Sequence, residues 1–230
     1  MVAAFRAMRC HEMTMRAATV AFCLAILPGL WLRAEEGTLR YVKTFGSTTR
    51  IVEYSVTRTA EGVDVSSSGS EPSDDTHWIP GRGTVTWHEV DAAMGTDLRA
   101  ERTGDTIRVR GKLKGRQVVK EVRVDAAPWY QIFGPAIGDL VPPGSSRTEF
   151  WVLSPDDLVA HKMVAARAGV ERIDINGKKV NAVRVHFSPA GIFSGLWGAD
   201  FWYRPSDSAW IYSRLPENGG VTITTLADQC

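Results

Sequence analysis

The chain has 230 residues, 27 Lys and Arg against 26 Asp and Glu, a formal net charge of +1, and 44% hydrophobic residues. So balanced a charge argues against a nucleic-acid binder, which carries a clustered positive face. The length supports a domain with a real core, and three cysteines in all argue against a disulfide scaffold.

Residues 1–34 read as an export signal. Arg6, Arg9 and Arg16 precede the apolar run Ala17–Leu32, and Leu32-Arg33-Ala34 offers a small residue at a cleavage site before Glu35-Glu36-Gly37. The run is shorter than the ~20 apolar residues of a membrane span, so cleavage near Ala34 is expected, with an uncleaved inner-membrane anchor as the alternative. Cys23 follows the bulky Phe22, which argues against acylation. Removing residues 1–34 takes away Arg6, Arg9, Arg16, Arg33 and Glu12, shifting the net charge from +1 to −2. It also removes Cys10 and Cys23, so residues 35–230 are expected to form one disulfide-free domain, periplasmic or secreted, in which Cys230 is a frayed terminus.

That domain reads as antiparallel strands. Thr48–Thr59 alternates and is rich in β-branched residues. Glu61-Gly62 turns into Val63-Asp64-Val65, and Gly83–Val90 sets Val85, Trp87 and Glu89 on one face. Asp74-Asp75 reads as turn-capping acids. Leu98–Arg102 and Ile107–Gly111 flank the tight turn Thr103-Gly104-Asp105-Thr106, and Lys114-Gly115-Arg116 turns into Gln117–Val124. The segment Pro128–Ser146 holds four prolines and reads as a non-strand loop that covers something, either a lid over a ligand cavity or a plug in the open sheet.

Ser154-Pro155-Asp156-Asp157 predicts a short helical turn followed by a strand from about His161. Ala168-Gly169-Val170-Glu171 reads as a turn into the next strand. Ile173–Ile175 and Ala182–Phe187 flank Asn176-Gly177, a strong hairpin signal. Phe201–Tyr203, Trp210–Tyr212 and Val221–Leu226 close the series. Glu149-Phe150-Trp151 with Pro155 and Asp156 is echoed by Asp200-Phe201-Trp202 with Pro205 and Asp207, a match too short to establish duplication. The fold class is therefore all-β and mainly antiparallel: a curved sheet or half-open barrel with a short helix or covering loop, preceded by a signal-peptide helix.

Chemistry is sparse. His77, His88, His161 and His186 stand singly, without zinc-site spacing. Gly191–Gly195 lacks the spacing of a nucleophile elbow and reads as part of an apolar loop, Pro189–Gly198. No catalytic residue, metal site or cofactor is assigned. The aromatics are the remaining lead. Trp129, Tyr130, Phe133, Trp151, Phe193, Trp197 and Trp202 are candidates to line an apolar pocket, with ordinary core packing as the competing reading.

The stretch Val170–Gly177, then Val180–Val185, then Phe201–Asp207 and Trp210–Pro216 resembles exported bacterial β-proteins of unknown function, which in turn resemble the half-open barrels of lipoprotein-localisation carriers. The resemblance covers the last 60–80 residues or so and rests on short motifs; there is no lipobox. It implies a curved antiparallel sheet with an apolar concave face and supplies no catalytic residues. The leading expectation is a monomeric, non-enzymatic periplasmic carrier for an apolar small molecule such as a lipid or acyl chain. The alternatives are an envelope hydrolase and a structural or adaptor protein with an envelope protein partner.

Overall fold

The computed structural model describes residues 37–69, 72–131, 134–136, 145–195, 197–217 and 219–227, without the Phe193 side chain. The expected export signal, residues 1–34, lies outside them, as do Cys230 and much of the 128–146 loop.

Among the described residues, 14 antiparallel strands form one sheet. They are β1 (Gly37–Phe45), β2 (Thr48–Arg58), β3 (Val63–Gly69), β4 (Ser73–Ile79), β5 (Gly83–Asp91), β6 (Thr96–Thr103), β7 (Thr106–Leu113) and β8 (Arg116–Arg123), then β9 (Arg147–Leu153), β10 (Ala160–Ile175), β11 (Lys178–Pro189), β12 (Ala199–Tyr203), β13 (Trp210–Glu217) and β14 (Gly220–Leu226). The order is β8 down to β1, then β14 down to β9. Each half is a hairpin meander. The halves join where β1 pairs with β14, Tyr41 opposite Leu226 and Phe45 opposite Thr222. The edges are consequently β8 and β9, neighbours in sequence. The sheet curls and stays unclosed, the half-open form the strand pattern predicts.

Local sequence explains most turns. Asn176 (φ 53°) and Gly177 (φ 79°) both take the left-handed conformation that a two-residue I′ hairpin requires, and Asp174 accepts a hydrogen bond from the Gly177 N–H at 2.9 Å. The connections Ser154–Val159 and Arg204–Ala209 have the same build. The fifth residue donates its N–H to the first carbonyl, Leu158 to Ser154 and Ser208 to Arg204, both at 2.9 Å. That fifth residue sits at φ 57° in each. Asp157 and Asp207 each accept the N–H of the last residue, at 3.1 and 3.0 Å. The sequence echo therefore marks one turn geometry used twice, and β10 begins at Ala160, beside the expected position.

Two sequence readings need correction. Asp74 and Asp75 are not turn residues; they lie within β4, a strand held by its inward Thr76 and Trp78, both buried. Residues 168–171 are not a turn. β10 runs through them with a bulge between Arg167 and Gly169, and Gly169 at φ 108° absorbs the irregularity without ending the strand. The 128–146 segment forms no strand among its described residues, but it makes isolated bridges. Trp129 bridges Gly83 of β5 and Trp151 of β9 in parallel fashion. Pro128 has no N–H to donate, but its carbonyl accepts from Trp151 N–H at 2.7 Å. Tyr130 N–H then donates to Trp151 O at 2.8 Å, and Thr84 N–H to Trp129 O.

The concave face is largely filled by its own side chains. Tyr41 stacks on Trp210 with centroids 4.3 Å apart, and its hydroxyl donates to Trp210 O at 2.9 Å. Phe201 sits tilted against Trp210, and Phe187, Phe150 and Tyr130 continue the row edge to face. Each such pair adds about 0.5–1.5 kcal/mol beyond area burial. A second cluster joins Trp87, Leu98, Ile107 and Val109 of β5–β7 to Trp129, Leu153 and Leu158. Trp129 is thus the wedge between the two edges of the sheet. Asp125, just past β8, ties the same gap. It accepts from Trp151 Nε1 at 2.8 Å and pairs with Lys162 of β10. Arg102 donates to the carbonyls of Asp125, Ala127 and Gly104.

Candidate functional site

Because all 14 strands pair antiparallel with their neighbours, alternate turns fall at opposite ends of the sheet. One end carries the 46–47, 92–95, 114–115, 154–159 and 190–198 connections. There, strands from both halves enclose a cleft of about 910 Å³, lined by Lys43, Asp74, Glu89, Gln131, Trp151–Pro155, Ala160–Met163, Pro189, Ala190, Trp197 and Glu217. A smaller space of about 250 Å³ shares Lys43, Asp74, Glu89 and Gln131 with it, and is otherwise walled by Val52, Tyr54, Gly134, Phe201, Trp210, Ser213, Leu215 and Thr222, among others. The Ser213 and Thr222 hydroxyls are buried there with no hydrogen-bond partner among the described residues. At the cleft's end of the sheet, Phe45, Met94, Val159, Ile192, Trp197 and Val221 are exposed on turns or strand ends.

The polar centre of the cleft is made by β4 and β5. Asp74 and Glu89 are opposite each other in register. Asp74 is anchored by Trp87 Nε1 at 2.9 Å. Burial, with Asp74, Asp91 and Asp156 nearby, pushes the Glu89 carboxyl up to about 7. Gln131 closes the floor: its side chain accepts from Trp129 Nε1 at 2.9 Å and donates to Leu153 O at 2.8 Å. At the seam, the Lys162 and Trp151 hydrogen bonds hold the Asp125 carboxyl well below the usual carboxylate range.

The structure separates the seven aromatic candidates. Trp151 and Trp197 line the cleft. Trp151 has Lys162 Nζ 5.6 Å from its ring centroid, and Trp197 Nε1 donates to Pro216 O at 3.0 Å. Trp129 and Tyr130 are fully buried and serve as core. Trp202 alternates with Phe201 to the opposite face of β12, where it donates to Glu171 and packs on Tyr212. Phe133 and the side chain of Phe193 lie outside the described residues. Sequence reasoning missed Glu89 as a site residue, although its alternation with Trp87 already put a carboxylate on a core-facing row. Of the histidines, His161 lines the cleft, while His186 pairs with Asp200 at 2.9 Å away from it. No cluster of metal-ligating side chains occurs among the described residues.

This geometry defines a class: an all-β, half-open barrel with a cleft at one end. No family model matches the chain, and no curated protein matches it. Among solved structures it is similar to a β-barrel-like protein of a domain of unknown function, DUF1849, from Brucella abortus, at 10% identity over 83% of this chain and 95% of that chain, with a TM-score of 0.54. At that identity the fold is what the two share. Looser matches are the hypothetical lipoprotein YmcC from Escherichia coli (11% identity, 86% of this chain and 87% of that one, TM-score 0.42) and a putative outer membrane lipoprotein-sorting protein domain from Vibrio parahaemolyticus (10%, 85% and 86%, TM-score 0.28).

Proposed function

We propose that this chain is an exported, periplasmic carrier or binding module for an apolar ligand such as a lipid or acyl chain, acting without catalysis. The observation that carries the reading is the cleft of about 910 Å³ at the open end of the sheet, where Trp151, Val152, Met163, Pro189 and Trp197 offer apolar surface beside the ionisable side chains Lys43, Asp74, Glu89, His161, Lys162 and Glu217. Its volume falls in the ordinary range for small-molecule sites. The filled concave face sets the binding mode: the ligand lies in the end of the barrel and not along its whole length. Burying about ten methylenes at ~0.8 kcal/mol each corresponds to micromolar affinity. The exposed apolar residues at that end suit the transfer of such a ligand. The basic start and apolar run of residues 1–34 support export.

The test is native mass spectrometry and lipid extraction of protein purified without detergent, followed by titration with dodecanoic acid. A co-purifying acyl lipid and micromolar binding that weakens about tenfold in Trp151→Ala are expected. Recovery of no lipid, together with no dodecanoate binding, would sink the reading.

A further inference from the structure

The solvent face of β3–β8, opposite the core, carries two rows of charged side chains in register. In one, charges are matched: Asp64 faces His77 at 2.8 Å, Glu101 faces Arg108, and Arg108 is bound to Glu121 at 2.8 Å. In the other, a histidine and two arginines line up. His88 of β5 is opposite Arg99 of β6, and Arg99 is opposite Arg110 of β7. Like charges directly opposite across a strand pair destabilise it. The carboxylates around the two arginines have other partners: Asp97 lies 3.0 Å and Asp75 3.8 Å from His88, Asp64 pairs with His77, and Glu101 faces Arg108. Arg99 and Arg110 make no hydrogen bond or ion pair with any described residue. Both line a depression of about 510 Å³ on this face, with Thr86, His88 and Arg108 and the carboxylates Asp64, Asp75 and Glu101.

We propose that this depression is an anion site in which Arg99 and Arg110 grip a phosphate group between them. Adjacent in-register strands set Cβ atoms ~5 Å apart, so two guanidinium forks converge on one tetrahedral oxyanion, the geometry that arginine provides and lysine does not. The bound anion neutralises the cation pair that the fold otherwise holds unpaired. The site lies on the opposite face from the cleft and does not depend on it. Its phosphate comes from a phospholipid headgroup or from a free phosphorylated molecule.

The experiment titrates the purified full chain with inorganic phosphate at matched ionic strength, reading thermal stability and ³¹P line width, and separately sediments it with phosphatidylglycerol or phosphatidylcholine vesicles. Phosphate is expected to raise the Tm by a few degrees. The double variant R99Q/R110Q should bind at least tenfold more weakly, whereas R123Q, which alters an arginine paired with Asp105, should bind as the parent does. Without phosphate, R99Q/R110Q should melt no lower than the parent, since it removes a like-charge pair. Arg-dependent sedimentation with phosphatidylglycerol assigns the phosphate to a membrane; binding of phosphate without sedimentation assigns it to a soluble molecule. Equal responses of parent and R99Q/R110Q, or no response of the parent to either probe, would overturn the proposal.

Discussion

Replacing Glu89 with glutamine should stabilise the protein, and only when the pH is high enough to charge the parent side chain. Glu89 sits half-buried, opposite Asp74 and close to Asp91 and Asp156, and its carboxyl is raised from 4.5 to about 7. A folded-state value above the unfolded one means that the folded protein holds this proton more tightly. Below about pH 4.5 the group is neutral in both states and costs nothing. As the pH rises from there through 7, the folded state pays for a charge it solvates poorly, and above 7 the penalty is complete. The full displacement is equivalent to about 3 kcal/mol. Glu89 keeps substantial contact with solvent, and screening reduces this to about 1–2 kcal/mol. For a domain of this size, Glu89→Gln should then raise Tm by roughly 3–6 °C at pH 8.5 and by little at pH 4.5. The assay is a pair of thermal melts at those two pH values, on parent and variant at constant ionic strength. A variant that melts equally far above the parent at both pH values, or below it at pH 8.5, would refute the reasoning.

The same carboxyl should govern the cleft: dodecanol, which carries no charge, should bind more tightly at pH 6 than at pH 8.5 in the parent, and equally at both in Glu89→Gln, as read by isothermal titration. Asp125→Asn should lower the melting temperature at neutral pH by breaking the Lys162 and Trp151 contacts. Because the Asp125 carboxyl is depressed in the fold, its contribution is present above about pH 4 and is lost as the pH falls below it, so parent and variant should converge in acid melts. Trp210→Ala should cost about 3–5 kcal/mol in urea denaturation. Gly134→Ala should also destabilise, since a Cβ there would lie 2.1 Å from Trp210 Cε3; a silent Gly134→Ala would mean that the 134–136 segment is not packed on that ring.

What the sequence determined by itself is what depends on neighbours along the chain. Alternation with period two placed β2, β5, β7 and β11, and Asn176-Gly177 placed the β10–β11 turn, because side-chain direction and turn conformation are set within a few residues. The echo between Phe150-Trp151 and Phe201-Trp202 was too short to interpret, and only the matching hydrogen bonds at Asp157 and Asp207 identify one turn geometry used twice. Strand β4 was hidden because two acids and a histidine mask a core-facing row of only Thr76 and Trp78, a pattern that burial decides and composition does not. The bulge at Arg167–Gly169 was hidden because a glycine that ends a strand and one that bends it look alike until the partner strand is in place.

Only the tertiary structure decided the long-range arrangement. The pairing of β1 with β14 joins residues nearly the whole domain apart, and it is what makes β8 and β9 the two edges. That choice sends Trp129 into the gap as core, keeps Trp151 and Trp197 at the cleft, and turns Trp202 to the other face. In the sequence all four are simply tryptophans in an aromatic-rich stretch. It likewise brings Glu89 and Asp74 of β4–β5 and Lys43 of β1 to one cleft, whereas Arg99 meets Arg110 through the local β6–β7 hairpin. Neither a carboxyl's proton affinity nor a cation pair's need for an anion exists until folding fixes what stands opposite.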